Sequence, residues 1–298
     1  MVEIQKRELT GSPGPHLLII AGVHGDEFEP MACVRRLMHE VSPESLTGKL
    51  TLVPVANEAA FELGTRTAED GLDLARVCPG REDGSITERT AHALSAVIRT
   101  ADYFIDLHTG GTALTVWPLA GYKLHANLQV RETQRRMARA FNLPLVWGTD
   151  PNLEGRTLSV ARDANIPAIY AEYLGGGRFE PDGVTAYVEG CLNVMAELGM
   201  LDRPRPDSHI EYEVEDERPS AGHMQICNLS PMTGFFEPAV RVGQRVAEGD
   251  LLGVVCDLLG GQRREVRISQ NGIVLVLRTF CRVSEGDSLG VILEGVDD

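Results

Sequence analysis

The amino-acid sequence predicts an α/β fold: a mostly parallel or mixed sheet flanked by helices, with a small C-terminal all-β domain. Three observations predict it. Over the first two-thirds, short apolar runs alternate with amphipathic stretches, the signature of a sheet covered on both faces. After Met200 the chain becomes rich in Pro, Asp, Glu and Arg. From His223 onward it is short-stranded and glycine-rich, and VAEGDLLGVV (246–255) returns 37 residues later as VSEGDSLGVI (283–292). The expected organisation is an α/β domain bearing the candidate chemistry over residues 1–201, a linker over 202–222 and a β domain over 223–298.

Residues 16–23 (HLLIIAGV) read as a buried strand. A helix over 30–41 follows, with Met31, Val34, Leu37, Met38 and Val41 at helical spacing. Residues 50–56 form a second strand, and Pro54 marks an edge or a strand end. Ser85 and Glu88 make an S-x-x-E capping box, so a helix runs over 85–100 with Ile86, Leu94, Val97 and Ile98 as its apolar stripe. Residues 102–107 (DYFIDL) are the third strand. The helix over 125–141 is basic on one side through Arg131, Arg135, Arg136 and Arg139. Strands over 144–147 and 168–173 enclose a helix over 157–165, and a last helix covers 182–198.

Open parallel sheets bind ligands beyond the carboxyl ends of their strands. The first strand runs into Gly22-Val23-His24-Gly25-Asp26-Glu27, and the third into His108-Thr109-Gly110-Gly111. The strand beginning at Ala168 carries Glu172 and then three glycines. Two histidines and a glutamate form a three-ligand set that leaves a position for water. The three-residue spacing of His24 and Glu27 lets both point the same way on a helical first turn or tight loop. Asp106 can orient the His108 imidazole. Glu172 closes an apolar run where a carboxylate is costly, so it is the candidate to take and relay a proton. Each piece has a plainer reading beside it: a histidine at a strand end as a structural hydrogen-bonder, and Glu172 as an ion-pair partner of Arg156 or Arg178.

AGVHGDE (21–27), DLHTGG (106–111) and PAIYAEYLGGG (167–177) occur in that order. They resemble the succinylglutamate desuccinylase/aspartoacylase family of carboxypeptidase A-like zinc hydrolases, and the resemblance covers most of residues 16–199. It implies His24, Glu27 and His108 as ligands of one Zn²⁺ per subunit, and Glu172 as general acid/base. It implies that Arg66 polarises the scissile carbonyl. The stretch 64–80 would bind substrate; in its Asp73-Leu74-Ala75-Arg76 the arginine is kept, and Ala75 stands where the family carries asparagine. Asp73, Arg76 and Arg156 are the expected substrate-binding set. A guanidinium grips a carboxylate bidentately and, near a metal, stabilises an oxyanion.

The expected activity is zinc-dependent hydrolysis of the amide bond of a small N-acyl amino acid or N-acyl amine, by a chain that associates into homo-oligomers as the family often does. The alternatives are a metallocarboxypeptidase acting on short peptides and a non-catalytic metal-binding protein on the same fold. The C-terminal repeat looks like a biotinyl/lipoyl-type β domain, but no lysine follows Lys123 to carry a cofactor. In the family such a domain narrows access to the metal, which favours small substrates.

Composition narrows the partners. Net charge is −15, which disfavours nucleic acid and anionic membrane surfaces. No apolar run approaches the ~20 residues of a membrane span, and the start MVEIQKRELT lacks the apolar stretch of a signal peptide. Six cysteines without a CxxC pair read as reduced thiols, and the expected location is cytoplasmic. Gly286-Asp287-Ser288-Leu289-Gly290 matches G-x-S-x-G, but no histidine follows His223 to act as partner. It reads as a β-turn.

Overall fold

A computed structural model describes residues 2–224 and 227–296. The chain divides into two compact units. The first comprises residues 1–109, 118–172 and 179–221; the second comprises 110–117, 173–178 and 222–298.

In chain order the elements of the first stretch are β1 (Arg7–Thr10), β2 (Ser12–Ile20), α1 (Phe28–Glu40), β3 (Thr47–Val53), α2 (Glu58–Leu63), α3 (Leu74–Val77), α4 (Ile86–Ile98) and β4 (Tyr103–His108). Then come β5 (Leu114–Lys123), α5 (Leu128–Phe141), β6 (Leu145–Thr149), α6 (Thr157–Asp163), β7 (Ala168–Gly175), α7 (Pro181–Glu197) and β8 (Tyr212–Glu215). In the first unit the strands run β1-β3-β2-β4-β7-β5-β6-β8. β3, β2, β4 and β7 are parallel, β1 is antiparallel at its edge, and β5, β6 and β8 are parallel to one another.

Leu17, Leu18, Ile19 and Ile20 are all fully buried, so both faces of β2 are covered. One face carries Leu18, Ile20 and Phe104 against Leu74, Leu94 and Leu158 from α3, α4 and α6. The helices α1, α7 and α5 pack on one another as the other layer. β3 ends at Val53, one residue before Pro54, so that proline marks a strand end and not an edge. The capping box opens α4 as expected: the Ser85 side chain accepts from the Glu88 backbone N–H, and Glu88 accepts from the Ser85 N–H.

The sequence reading lacks several elements, β5, α2 and β8 among them. β5 carries Pro118 and Gly121, both strand-breakers in isolation, yet forms a ten-residue strand because β6 pairs along its second half. α2 is a short helix bounded by Asn57, whose side chain caps the Ala60 N–H, and by Gly64 in the left-handed region. The segment 202–222, expected as a linker, contributes β8, parallel to β6.

β8 also answers the basic face of α5. Arg131 and Arg135 bind Glu215 at 2.5 and 2.7 Å, and Arg139 binds Glu213 at 2.7 Å. Burial opposes the Glu215 charge, but Arg131, Tyr122 and Arg135 outweigh it and draw its carboxyl down to about 2. A carboxyl that ionises more easily folded than unfolded stabilises above its unfolded value, and the contribution is lost as pH falls toward the folded value. Glu215→Gln should therefore cost about 1–2 kcal/mol at pH 7, discounted for partial exposure. Urea titrations at pH 7 and pH 3 check this. The gap between variant and parent should shrink at pH 3; an equal gap at both would place the loss in packing.

In the second unit the strands are β9 (Gly234–Pro238), β10 (Arg245–Val246), β11 (Leu251–Cys256), β12 (Arg263–Arg267), β13 (Gly272–Arg278), β14 (Arg282–Val283) and β15 (Gly290–Leu293). One sheet is ordered β12-β11-β9-β14, while β13 pairs with β10, β15 and residues 114–116. The repeat is visible atom by atom. Val246, Leu252 and Val255 share one core with their counterparts Val283, Leu289 and Ile292. Asp250 accepts from the Ala247 N–H in one copy, and Asp287 from the Ser284 N–H in the other. Ser288 is buried, donates to the Cys227 carbonyl at 2.9 Å and forms an isolated antiparallel bridge with Leu229, just after the turn at Glu285-Gly286. All six cysteines are free thiols, and no helix among the described residues is long and apolar enough to cross a membrane.

Candidate metal centre

The loop after β2 delivers His24 and Glu27, with Glu27 as the residue preceding α1. Gly25 is required there because the backbone lies against α2: a Cβ on it would stand 2.1 Å from the Ala60 carbonyl. His108 ends β4. Ligand-capable atoms of His24, Glu27 and His108 lie within 4.8 Å of one another, and all three residues are buried. The Glu27 carboxylate sits between the rings, 2.6 Å from His24 Nδ1 and 3.0 Å from His108 Nδ1. Ring centroids are 5.1 Å apart. The backbone N–H of Thr109 donates to Glu27 Oε2.

Each imidazole has a second carboxylate on its far nitrogen. Asp106 lies 3.0 Å from His108 Nε2, and Asp73 lies 3.2 Å from His24 Nε2. Thr157 donates to the same Asp106 oxygen, and the Tyr187 hydroxyl donates to the His108 carbonyl. These partners fix ring orientation and leave both Nδ1 atoms aimed at the shared point. Burial opposes the Glu27 charge, yet His24 and His108 outweigh it and hold the carboxyl well below its usual range. Burial likewise opposes a charged His108, while Asp106 and Glu27 hold its pKa well above the imidazole range.

Parallel pairing of β4 and β7 places Glu172 at the same level as His108, and Tyr170 at the level of Asp106. Paired residues of parallel strands share a face, as do residues two apart. Asp106, His108, Tyr170 and Glu172 therefore line one face. Glu172 is 6% exposed, and its Oε2 has no hydrogen-bond partner among the described residues. Burial pushes its carboxyl up to about 8; His108 works against this and Glu27 adds to it.

The donor set fits a cation. Glu27, Asp106 and Glu172 are buried, and two of their oxygens, Asp106 Oδ1 and Glu172 Oε2, have no hydrogen-bond partner among the described residues. Buried carboxylates without full compensation call for positive charge. Imidazole nitrogens with a carboxylate suit Zn²⁺ among divalent ions.

The arginines sort into two roles. Arg66 binds Asp73 through Nε and Nη2 at 3.1 and 2.8 Å and reaches within 3.9 Å of Glu27. Arg76 and Arg156 are pushed below the usual guanidinium range, by burial first; Arg66 adds to this for Arg76, and Arg76 for Arg156. Gly155 packs directly on the Arg76 carbonyl, which ties the loop bearing Arg156 to α3. Asp73, an expected substrate contact, has protein partners on both carboxylate oxygens. Its Oδ1 accepts from the Ala75 N–H and faces His24, and its Oδ2 takes Arg66. Its carboxylate thus contacts two protein side chains and a backbone N–H. Tyr170 escaped the sequence reading; its signal was the two-residue alternation with Glu172.

Residues 13–198 match the succinylglutamate desuccinylase/aspartoacylase catalytic domain. A curated relative, N-alpha-acetyl-L-2,4-diaminobutyric acid deacetylase of Halomonas elongata, is 31% identical over 297 residues, covering 95% of this chain and 83% of that protein. Among solved structures, a succinylglutamate desuccinylase/aspartoacylase from Rhodobacter sphaeroides superposes with a TM-score of 0.89 at 27% identity, covering 100% of this chain and 90% of the other. The product-bound ectoine utilization protein EutE (DoeB) of Ruegeria pomeroyi has a TM-score of 0.86 at 27% identity, covering 97% and 88%.

Proposed function

Because the chain belongs to the succinylglutamate desuccinylase/aspartoacylase family, we propose that it is a zinc-dependent deacylase that hydrolyses the amide bond of a small N-acyl amino acid. The observation that carries this reading is the convergence of His24, Glu27 and His108 beside the buried Glu172, whose Oε2 has no hydrogen-bond partner among the described residues.

His24, Glu27 and His108 would hold the ion. The chemistry supplied there by Zn²⁺ is Lewis acidity toward the acyl carbonyl and a water made nucleophilic near neutral pH. Glu172 Oε2 accepts the proton of the attacking water and returns it to the leaving nitrogen, so that the C–N bond breaks to give a carboxylate and an amine. Arg66, held by Asp73, donates to the carbonyl oxygen as negative charge develops on it. Arg76 and Arg156 grip the substrate carboxylate. Asp73 and Asp106 keep the imidazoles in orientation.

The test is a panel of N-acetyl, N-succinyl and N-formyl amino acids, N-acetyl diamines and short peptides. The compound named for the Halomonas elongata relative leads it. Expected is hydrolysis of an N-acyl amino acid, abolished by a chelator and restored by Zn²⁺. Preference for peptides would favour a metallocarboxypeptidase. A fully metal-loaded protein inert across the panel would leave only a metal-binding role.

A further inference from the structure

We propose that Tyr170 is a specificity-determining residue whose hydroxyl donates to the substrate carboxylate beside Arg156. The inference rests on the deacylase reading above.

The face shared by β4 and β7 has four polar corners: Asp106, His108, Tyr170 and Glu172. His108 is assigned to the metal, Asp106 to its imidazole and Glu172 to the proton. Tyr170 is the remaining corner, about 6–7 Å along the strand from Glu172. Thr157 donates to Asp106, the residue in register with Tyr170, so the start of α6 and the adjacent Arg156 are tied to that corner. Glu172 and Arg156 are also the two charges that act on the Tyr170 hydroxyl.

A glycine makes this placement possible. Tyr170 lies across β5 at Gly121, where a Cβ would stand 2.3 Å from ring atoms Cε1 and Cζ and 2.6 Å from the hydroxyl. Any side chain at 121 would displace the ring. Gly121 thus sits inside a strand, at a cost in strand stability, in the one place where the phenol needs the room.

The chemistry selects an anion. Arg66, Arg76 and Arg156 act on one another or on Asp73 across this region, and Asp73 already takes Arg66 and faces His24. A phenol beside a guanidinium adds a directional donor to a carboxylate, and a hydrogen bond to a charged group is strong enough to govern selectivity.

The experiment compares Tyr170→Phe with the parent enzyme on two substrates: an N-acetyl amino acid, and its carboxamide analogue, which keeps the scissile amide but loses the anion. Expected on the acid is a KM rise of about 10- to 100-fold with kcat within about threefold. On the carboxamide both enzymes should perform alike, so the preference for acid over carboxamide collapses in the variant. Gly121→Ala, which keeps the hydroxyl but pushes the ring aside, should reproduce the loss. Unchanged preference in Tyr170→Phe overturns the proposal. An equal loss on both substrates does so too, because it assigns Tyr170 to packing. If the parent enzyme hydrolyses no N-acyl amino acid, the deacylase reading fails instead, and the two failures are distinct.

Discussion

Glu172→Gln should leave the metal content of the protein unchanged and lower kcat by about 10²- to 10⁴-fold, the range lost when a positioned acid–base group is removed. Glutamine keeps the shape and nearly the volume of the side chain, so the β4–β7 face should stay intact. What it loses is the ability to accept a proton. The parent carboxyl is suited to that exchange, since burial raises it above the usual carboxylate range. Its Oε2 has no hydrogen-bond partner among the described residues to tie it down. Metal analysis, a melting curve and steady-state kinetics on the same preparation check the prediction. Near-native turnover in Glu172→Gln would refute the proton-relay role; loss of metal together with activity would instead make Glu172 part of the binding site.

Removing Glu27 should have the other large effect. Glu27→Ala is expected to drop metal content below about one-tenth of parent and take activity to background. The carboxylate lies between both imidazoles, fully buried, at 2.6 and 3.0 Å. It is both the proposed anionic ligand and the group that brings two Nδ1 atoms to one point. Losing an outer partner such as Asp73 typically costs 10–100-fold in metal affinity. Losing a direct ligand should exceed that, so Asp73→Asn is the internal control: weaker binding, with metal recoverable at higher concentration. Titration of a chromophoric chelator against each variant measures the affinities. Full metal retention by Glu27→Ala would place the ion elsewhere.

Much of this centre was legible before folding. His24 and Glu27 are three residues apart in a glycine-bounded loop at a strand end, and His108 and Glu172 close two other apolar runs. Strand ends, donor types and glycines are local properties, and each writes itself into a few consecutive residues. The protein partners of Asp73 were not legible, for the opposite reason. Within Asp73-Leu74-Ala75-Arg76 it reads as a substrate contact, and nothing nearby in sequence marks His24, 49 residues earlier, as its partner. β8 was invisible because YEVE sits in a charged, proline-rich stretch. Its acids become meaningful only when α5 sets Arg131, Arg135 and Arg139 against them.

The amino-acid order alone determined the α/β class, the β-type tail with its repeat, the capping box at Ser85 and the chemical identity of the candidate metal donors. These follow from periodicity and local hydrogen bonding, which act over one or two turns of chain. Tertiary structure alone decided that β4 and β7 are neighbours and in which register. That pairing puts Glu172 beside His108 and Tyr170 beside Asp106. Register depends on long-range packing of faces that no local pattern encodes, and a slip of one residue would turn Glu172 to the opposite side of the sheet.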